Sequence, residues 1–186
     1  MKASFALLLP LLLPLVSGQV FHWGPCPEPV VQPNFNLQKY LGKWYEIEKL
    51  PASFERGKCI EANYSLRADG TIKVLNTEFL KGRVRSIEGT AVVQDIKEPA
   101  KLGVSFSYFT PYSPYWVLST DYVTSAVVYS CTDVVRLFHV DFAWILGRTR
   151  TLPETTINFA KNMLASDNID ISKMILTDQQ GCEKEP

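Results

Sequence analysis

Leu41-Gly42-Lys43-Trp44-Tyr45-Glu46-Ile47-Glu48-Lys49-Leu50 is the stretch on which the fold turns. A glycine permits a turn, a tryptophan two residues later suits a packed corner, and the residues from Trp44 to Leu50 read as a first strand. By itself Gly-x-Trp says only that a β-protein has a corner here. Working outward, Ile60, Ala62, Tyr64 and Leu66 alternate with Glu61, Asn63 and Ser65, and Asp69-Gly70 follows, so a strand runs into a tight hairpin. Ile72, Val74 and Asn76 begin the return strand. Residues 87–93, 102–108, 115–122, 127–131 and 137–146 supply further strands, with turn chemistry between them. The expected fold class is all-β, an eight-stranded antiparallel up-and-down barrel. Closure removes exposed edges, and about eight strands leave an interior just wide enough for one small guest.

One helix interrupts the pattern. Thr151-Leu152-Pro153-Glu154 reads as a capping box with proline in the first turn. Ile157, Phe159, Ala160, Met163 and Leu164 make one apolar stripe, which places this C-terminal helix against the outside of the barrel.

The start of the chain has the composition of a secretory leader. Lys2 is followed by an apolar run to Val16, broken by Pro10 and Pro14, and then by Ser17-Gly18. Residues 1–18 are expected to be removed, leaving 19–186 as a single secreted, extracellular domain with Gln19 free to cyclise to pyroglutamate. No later segment reaches the roughly 18 apolar residues of a membrane span. Lys and Arg balance Asp and Glu at 19 each, so losing Lys2 leaves the mature chain one unit negative. With no basic run and no cationic face interleaved with aromatics, nucleic acid is not an expected partner. The four cysteines, Cys26, Cys59, Cys131 and Cys182, form an even set in an exported chain and suggest a two-disulfide framework with three possible connectivities. Their spacing does not suggest zinc, and no cofactor is expected.

Gly42-Lys43-Trp44-Tyr45, Thr120-Asp121-Tyr122 and Arg148 after Trp144-Ile145-Leu146-Gly147 together resemble the three signature regions of the lipocalins. The likeness extends through Ala62-Asn63-Tyr64-Ser65-Leu66, Pro114-Tyr115-Trp116-Val117-Leu118 and the segment 137–144. It implies a calyx that binds and transports small hydrophobic molecules, including arachidonate-like fatty acids and progesterone-like steroids. It also implies the pairings Cys26 with Cys131 and Cys59 with Cys182, which leave no cysteine for a disulfide to another protein. Arg148 is expected to lie across Trp44 at the narrow end, with Thr120, Asp121 and Tyr122 completing that floor and Trp44 acting structurally rather than touching the guest.

Side chains two apart on a strand share a face. Val140, Phe142, Trp144 and Leu146 therefore stand opposite His139, Asp141, Ala143 and Ile145, and the resemblance puts Trp144 inside. Tyr64, Asn76, Phe106, Tyr108, Trp116, Leu118, Phe142 and Trp144 are the expected ligand-binding residues, with Asn76 and Tyr64 supplying the hydrogen bonds that orient an apolar guest. A ligand carboxylate would stay at the mouth, near Arg83 or Arg85. The segment 108–116, rich in aromatics and prolines, is expected to be a loop at the open end. It either docks to a membrane or lipoprotein surface or folds as a lid over the mouth. Asn63-Tyr64-Ser65 is a glycosylation sequon on the outward face.

Enzymatic readings are weak. His139 and Asp141 share a face, but there is no Gly-x-Ser-x-Gly elbow, and His22 falls in a leader expected to be mobile. An interaction module acting through the apolar loop, with a vestigial cavity, is the competing expectation to a carrier.

Overall fold

The computed structural model describes residues 20–108, 110–135 and 137–182. The expected leader and Gln19 lie outside these residues. The elements run β1 (Val20–Trp23), α1 (Leu37–Tyr40), β2 (Gly42–Lys49), β3 (Lys58–Leu66), β4 (Ile72–Leu80), β5 (Arg83–Val93), β6 (Lys101–Ser105), β7 (Ser113–Thr120), β8 (Ser125–Val134), β9 (Phe138–Gly147), α2 (Glu154–Ser166), a 3-10 turn (Ile171–Lys173) and β10 (Ile175–Leu176). Each strand from β2 to β9 pairs antiparallel with the next, and β9 pairs back onto β2, so eight strands close as a barrel.

Two short strands patch the seam. On the free edge of β9, the N-terminal β1 pairs from Val20↔Asp141 to Trp23↔Phe138. On β2, β3 covers Gly42 to Tyr45 while β10 takes over at Glu48 and Lys49. Where β2 and β3 part, the Gln179 amide bridges them by donating to Glu46 O (2.9 Å) and Ile60 O (2.8 Å). The expectation of a mobile leader around His22 is thus corrected: the ladder to β9 satisfies its backbone, as buried or half-buried peptide groups require.

The disulfides are Cys26–Cys131 and Cys59–Cys182, closing sequence separations of 105 and 123 residues. Each ties a terminal segment to the wall, the first beside β1 and the second beyond β10.

Two apolar clusters flank the sheet. Phe35, Tyr40, Trp44, Ile72, Val74, Ala91 and Leu102 fill the narrow end. Leu118, Val127, Tyr129, Ala143 and Ile145 on the outer wall pack against Ala160 and Leu164 of α2. Within the expected stripe Phe159 is 62% exposed, because the helix presents only a narrow seam to a flat sheet.

The helix start also differs from the capping-box reading. Pro153 is the N-cap, with no side-chain cap bond, and its carbonyl accepts from Thr156 N (2.9 Å) and Ile157 N (3.2 Å). Thr151 sits two residues too early for its hydroxyl to reach those amides. The short α1 was missed from sequence, although Asn36 caps it by accepting from Lys39 N at 3.1 Å.

Candidate functional site

The floor is built first. Trp44 is fully buried and donates from Nε1 to Tyr40 O (2.8 Å), while the Arg148 guanidinium carbon lies 3.7 Å from its ring centroid. Arg148 donates to the carbonyls of Lys43 (2.7 Å), Lys39 (3.0 Å), Leu41 (3.0 Å) and Tyr122 (2.9 Å). One planar fork therefore closes the chain ends of α1, β2 and the β7–β8 turn. Gly42 has φ +94°, and a Cβ there would meet Arg148 Nη1 at 3.4 Å. Asp121 holds the adjoining turn: desolvation would raise its carboxyl, but the amides of Ser125, Thr124 and Val123 outweigh it and keep it below the usual range. Thr120 Oγ1 accepts from Tyr122 N (2.9 Å) and donates to Ser125 O (2.9 Å).

Above this floor lies a cavity of about 600 Å³, open at the opposite end. Trp44 forms its base as well as serving the fold. Of the expected lining, Tyr64, Asn76, Phe106, Phe142 and Trp144 face the cavity. Phe142 and Trp144 stack with centroids 5.9 Å apart, and Trp144 donates from Nε1 to Glu55 Oε2 (3.1 Å). Gly89 makes room for Phe106, whose ring atom Cδ1 would lie 2.6 Å from a Cβ at that position.

Three expected residues do not line it. Trp116 and Leu118 point outward into the cluster under α2, and Lys101 lies over the Trp116 ring at 4.6 Å. The reason is a bulge: β7 and β8 shift register between Val117 and Ser119, so counting inward positions back from Thr120 lands on the wrong parity. Tyr115 takes the inward place instead. Tyr108 stands beyond the end of β6 and is fully exposed rather than folded over the mouth. The segment expected as loop 108–116 is shorter, because β7 already begins at Ser113.

Tyr115 is the site residue sequence reasoning missed. Its hydroxyl bonds those of Tyr64 (2.7 Å) and Tyr40 (2.9 Å), a chain of phenols at the base of the cavity. Burial pushes all three hydroxyls well above the usual tyrosine range, so they stay neutral. Asn76 Oδ1 is buried without a hydrogen-bond partner among the described residues, an acceptor facing the cavity.

On one wall, Thr177, Glu46, Lys49, Glu55 and Trp144 form a buried polar chain. Lys49 Nζ lies 3.0 Å from Glu46 Oε1 and 3.5 Å from Glu55 Oε2, and Thr177 Oγ1 donates to Glu46. One ammonium cannot balance two carboxylates. Burial, with the nearby Glu55 charge, pushes Glu46 up to about 8 against the pull of Lys49.

His139 and Asp141 lie on the outer wall, away from the cavity. His139 Nδ1 is engaged by Gly24 O (2.9 Å), and buried Asp141 accepts from Tyr129 OH (3.1 Å). Burial raises the Asp141 carboxyl against that bond. Asn63 is exposed on the wall opposite the inward Tyr64.

A closed eight-stranded calyx with a Trp–Arg floor, one outside helix and an apolar cavity is matched by the family model for a lipocalin-like domain, over residues 35–179. The chain belongs to the lipocalins. It is 58% identical to apolipoprotein D of Cavia porcellus, with 95% of each chain covered. It is 33% identical to the bilin-binding protein of Pieris brassicae over 90% of each. Among solved structures, insecticyanin of the tobacco hornworm Manduca sexta superposes with a TM-score of 0.76 at 30% identity, covering 87% of this chain and 89% of that one. In this lipocalin the cavity is apolar, with the phenols of Tyr64 and Tyr115 at its base.

Proposed function

We propose that the protein is a secreted carrier of small hydrophobic molecules, with fatty acids such as arachidonate and steroids such as progesterone as its guests. The observation that carries this reading is the 600 Å³ cavity, floored by Trp44 and walled by Tyr64, Asn76, Tyr115, Phe142 and Trp144. Its size falls within the ~300–1,000 Å³ range of ligand pockets, with a few polar groups on apolar walls. A guest of about 20 heavy atoms at roughly 0.3–0.4 kcal/mol per atom would bind with about 6–8 kcal/mol, in the micromolar range. Asn76 and the Tyr64 hydroxyl orient it. The leader 1–18, pyroglutamate at Gln19 and a glycan on Asn63 belong to the same reading, as does the absence of turnover.

The likeness to the bilin-binding protein of Pieris brassicae adds linear tetrapyrroles to the panel worth testing. Fatty acids, steroids and bilin pigments titrated against the protein should quench its fluorescence. Trp144→Phe should remove most of the quenching and weaken binding, whereas Trp116→Phe, on the outer wall, should leave affinity unchanged. Unaltered affinities in a folded Trp144→Phe variant would refute the cavity as the binding site.

A second reading, docking to a membrane or lipoprotein surface, is favoured by the exposure of Tyr108 and the half-exposed Tyr112 and Phe106 at the open end. Loss of vesicle co-sedimentation in Tyr108→Ser would support it.

A further inference from the structure

Beside the mouth lies a second pocket of about 290 Å³, between the β2–β3 connection and the β4–β5 hairpin. Ser53, Phe54, Arg56, Glu78, Leu80, Lys81 and Arg85 line it. Phe54, Glu78 and Arg85 belong to the main cavity too, so the two spaces share a wall.

The charges in this pocket are unusual for the rim of an apolar calyx. Glu78 pairs across the hairpin with Arg85, so both side chains point to the inner face. Yet Glu78 Oε2 is already taken by the amides of Gly57 (2.7 Å) and Arg56 (3.0 Å), and no ion pair to Arg85 forms. The Arg56 side chain is tied back to Ser53 O (2.6 Å). Among the described residues, the side chains of Lys81 and Arg85 make no hydrogen bond, ion pair or ring contact. Lys81 also holds φ at +53°, in a hairpin position that glycine or asparagine fills more easily. Three cations against one engaged carboxylate leave the pocket with an uncompensated positive field, beside apolar Phe54 and Leu80.

We propose that this rim pocket is the head-group site for an anionic single-chain lipid whose chain runs past Phe54 and Arg85 into the main cavity. The inference rests on the carrier reading and deepens it by naming the guest's polarity. The volume exceeds what a bare carboxylate needs, so a phosphate monoester on glycerol fits better than a fatty acid head. Such a head also brings more charge and more acceptor oxygens to the Arg85 fork.

The test compares three lipids of one chain length, each below its micellar concentration: monooleoylglycerol phosphate, oleate and uncharged monooleoylglycerol. The phosphate lipid should bind about tenfold or more tighter than the neutral one, with oleate between them, and raising the salt concentration should narrow the gap. Lys81→Gln with Arg85→Gln should abolish the preference, bringing the phosphate lipid down to the affinity of monooleoylglycerol. Both side chains are exposed, and Arg85→Gln alone, expected to remove part of the preference, serves if the double variant fails to fold. Oleate equal to the phosphate lipid, with both above the neutral one, would overturn the phosphate assignment. Equal binding of all three lipids, or a preference that survives the substitutions, would overturn the head-group site while leaving the carrier intact. No binding by any lipid would overturn both.

Discussion

Arg148 concentrates more of the architecture than any other single side chain. It reaches five carbonyls and the face of Trp44, none of them from its neighbours in sequence. Arg148→Ala should therefore cost about 2–4 kcal/mol of unfolding free energy in denaturant titrations, since a ring contact and several charge-assisted bonds go together. Arg148→Lys should recover little, because a point charge cannot span the fork. The pairing of Trp44 with Arg148 was legible from the resemblance, and so was the inward face of Phe142 and Trp144. Trp116, Leu118 and Tyr115 were not. A single inserted residue between Val117 and Ser119 inverts the alternation, and a bulge leaves no mark in composition or periodicity.

At the scale of elements, α2 shows how an apolar stripe overstates burial. Leu164 is fully buried against the outer wall, and Phe159 on the same helix is mostly in solvent. Leu164→Ala should lower unfolding free energy by about 2–5 kcal/mol, whereas Phe159→Ala should shift it by less than about 1 kcal/mol. The periodic pattern located the helix but not its exposure, because the partner surface is a sheet too flat to embrace a wide face. The strands β1 and β10 were invisible for a related reason. Four and two residues long, they carry no period of their own and exist because β9 and β2 leave edges to be paired. Replacing both Cys59 and Cys182 by alanine should destabilise the protein by about 2–4 kcal/mol. Hydrogen exchange should then speed up at Thr177 N, which is held by Ile47 O at 2.9 Å.

For the molecule as a whole, the buried Glu46–Lys49–Glu55 chain makes stability depend on pH. Glu46 ordinarily titrates near 4.5 and is pushed to about 8 in the fold, so between these values the native state holds a proton that the unfolded chain releases. The stabilisation is complete below 4.5 and is lost as pH rises through 8. Thermal and denaturant stability of the wild type relative to Glu46→Gln should fall across that window, by at most about 1.4 kcal/mol per pH unit. A difference that does not change with pH would mean Glu46 is ionised throughout.

Strand count, closure, the disulfide-bearing ends and the turn residues were local properties, repeated along the chain and therefore readable in it. The contents of the cavity were not, because they depend on register, on a bulge and on which polar groups find partners across 50 or more residues. The phenol chain of Tyr40, Tyr64 and Tyr115, the unpartnered Asn76 and the free cations at Lys81 and Arg85 arise only when distant strands are brought face to face. Alternation along a strand is set by backbone geometry, but the meeting of two side chains is set by how the strands align, and that is decided by packing of the whole barrel.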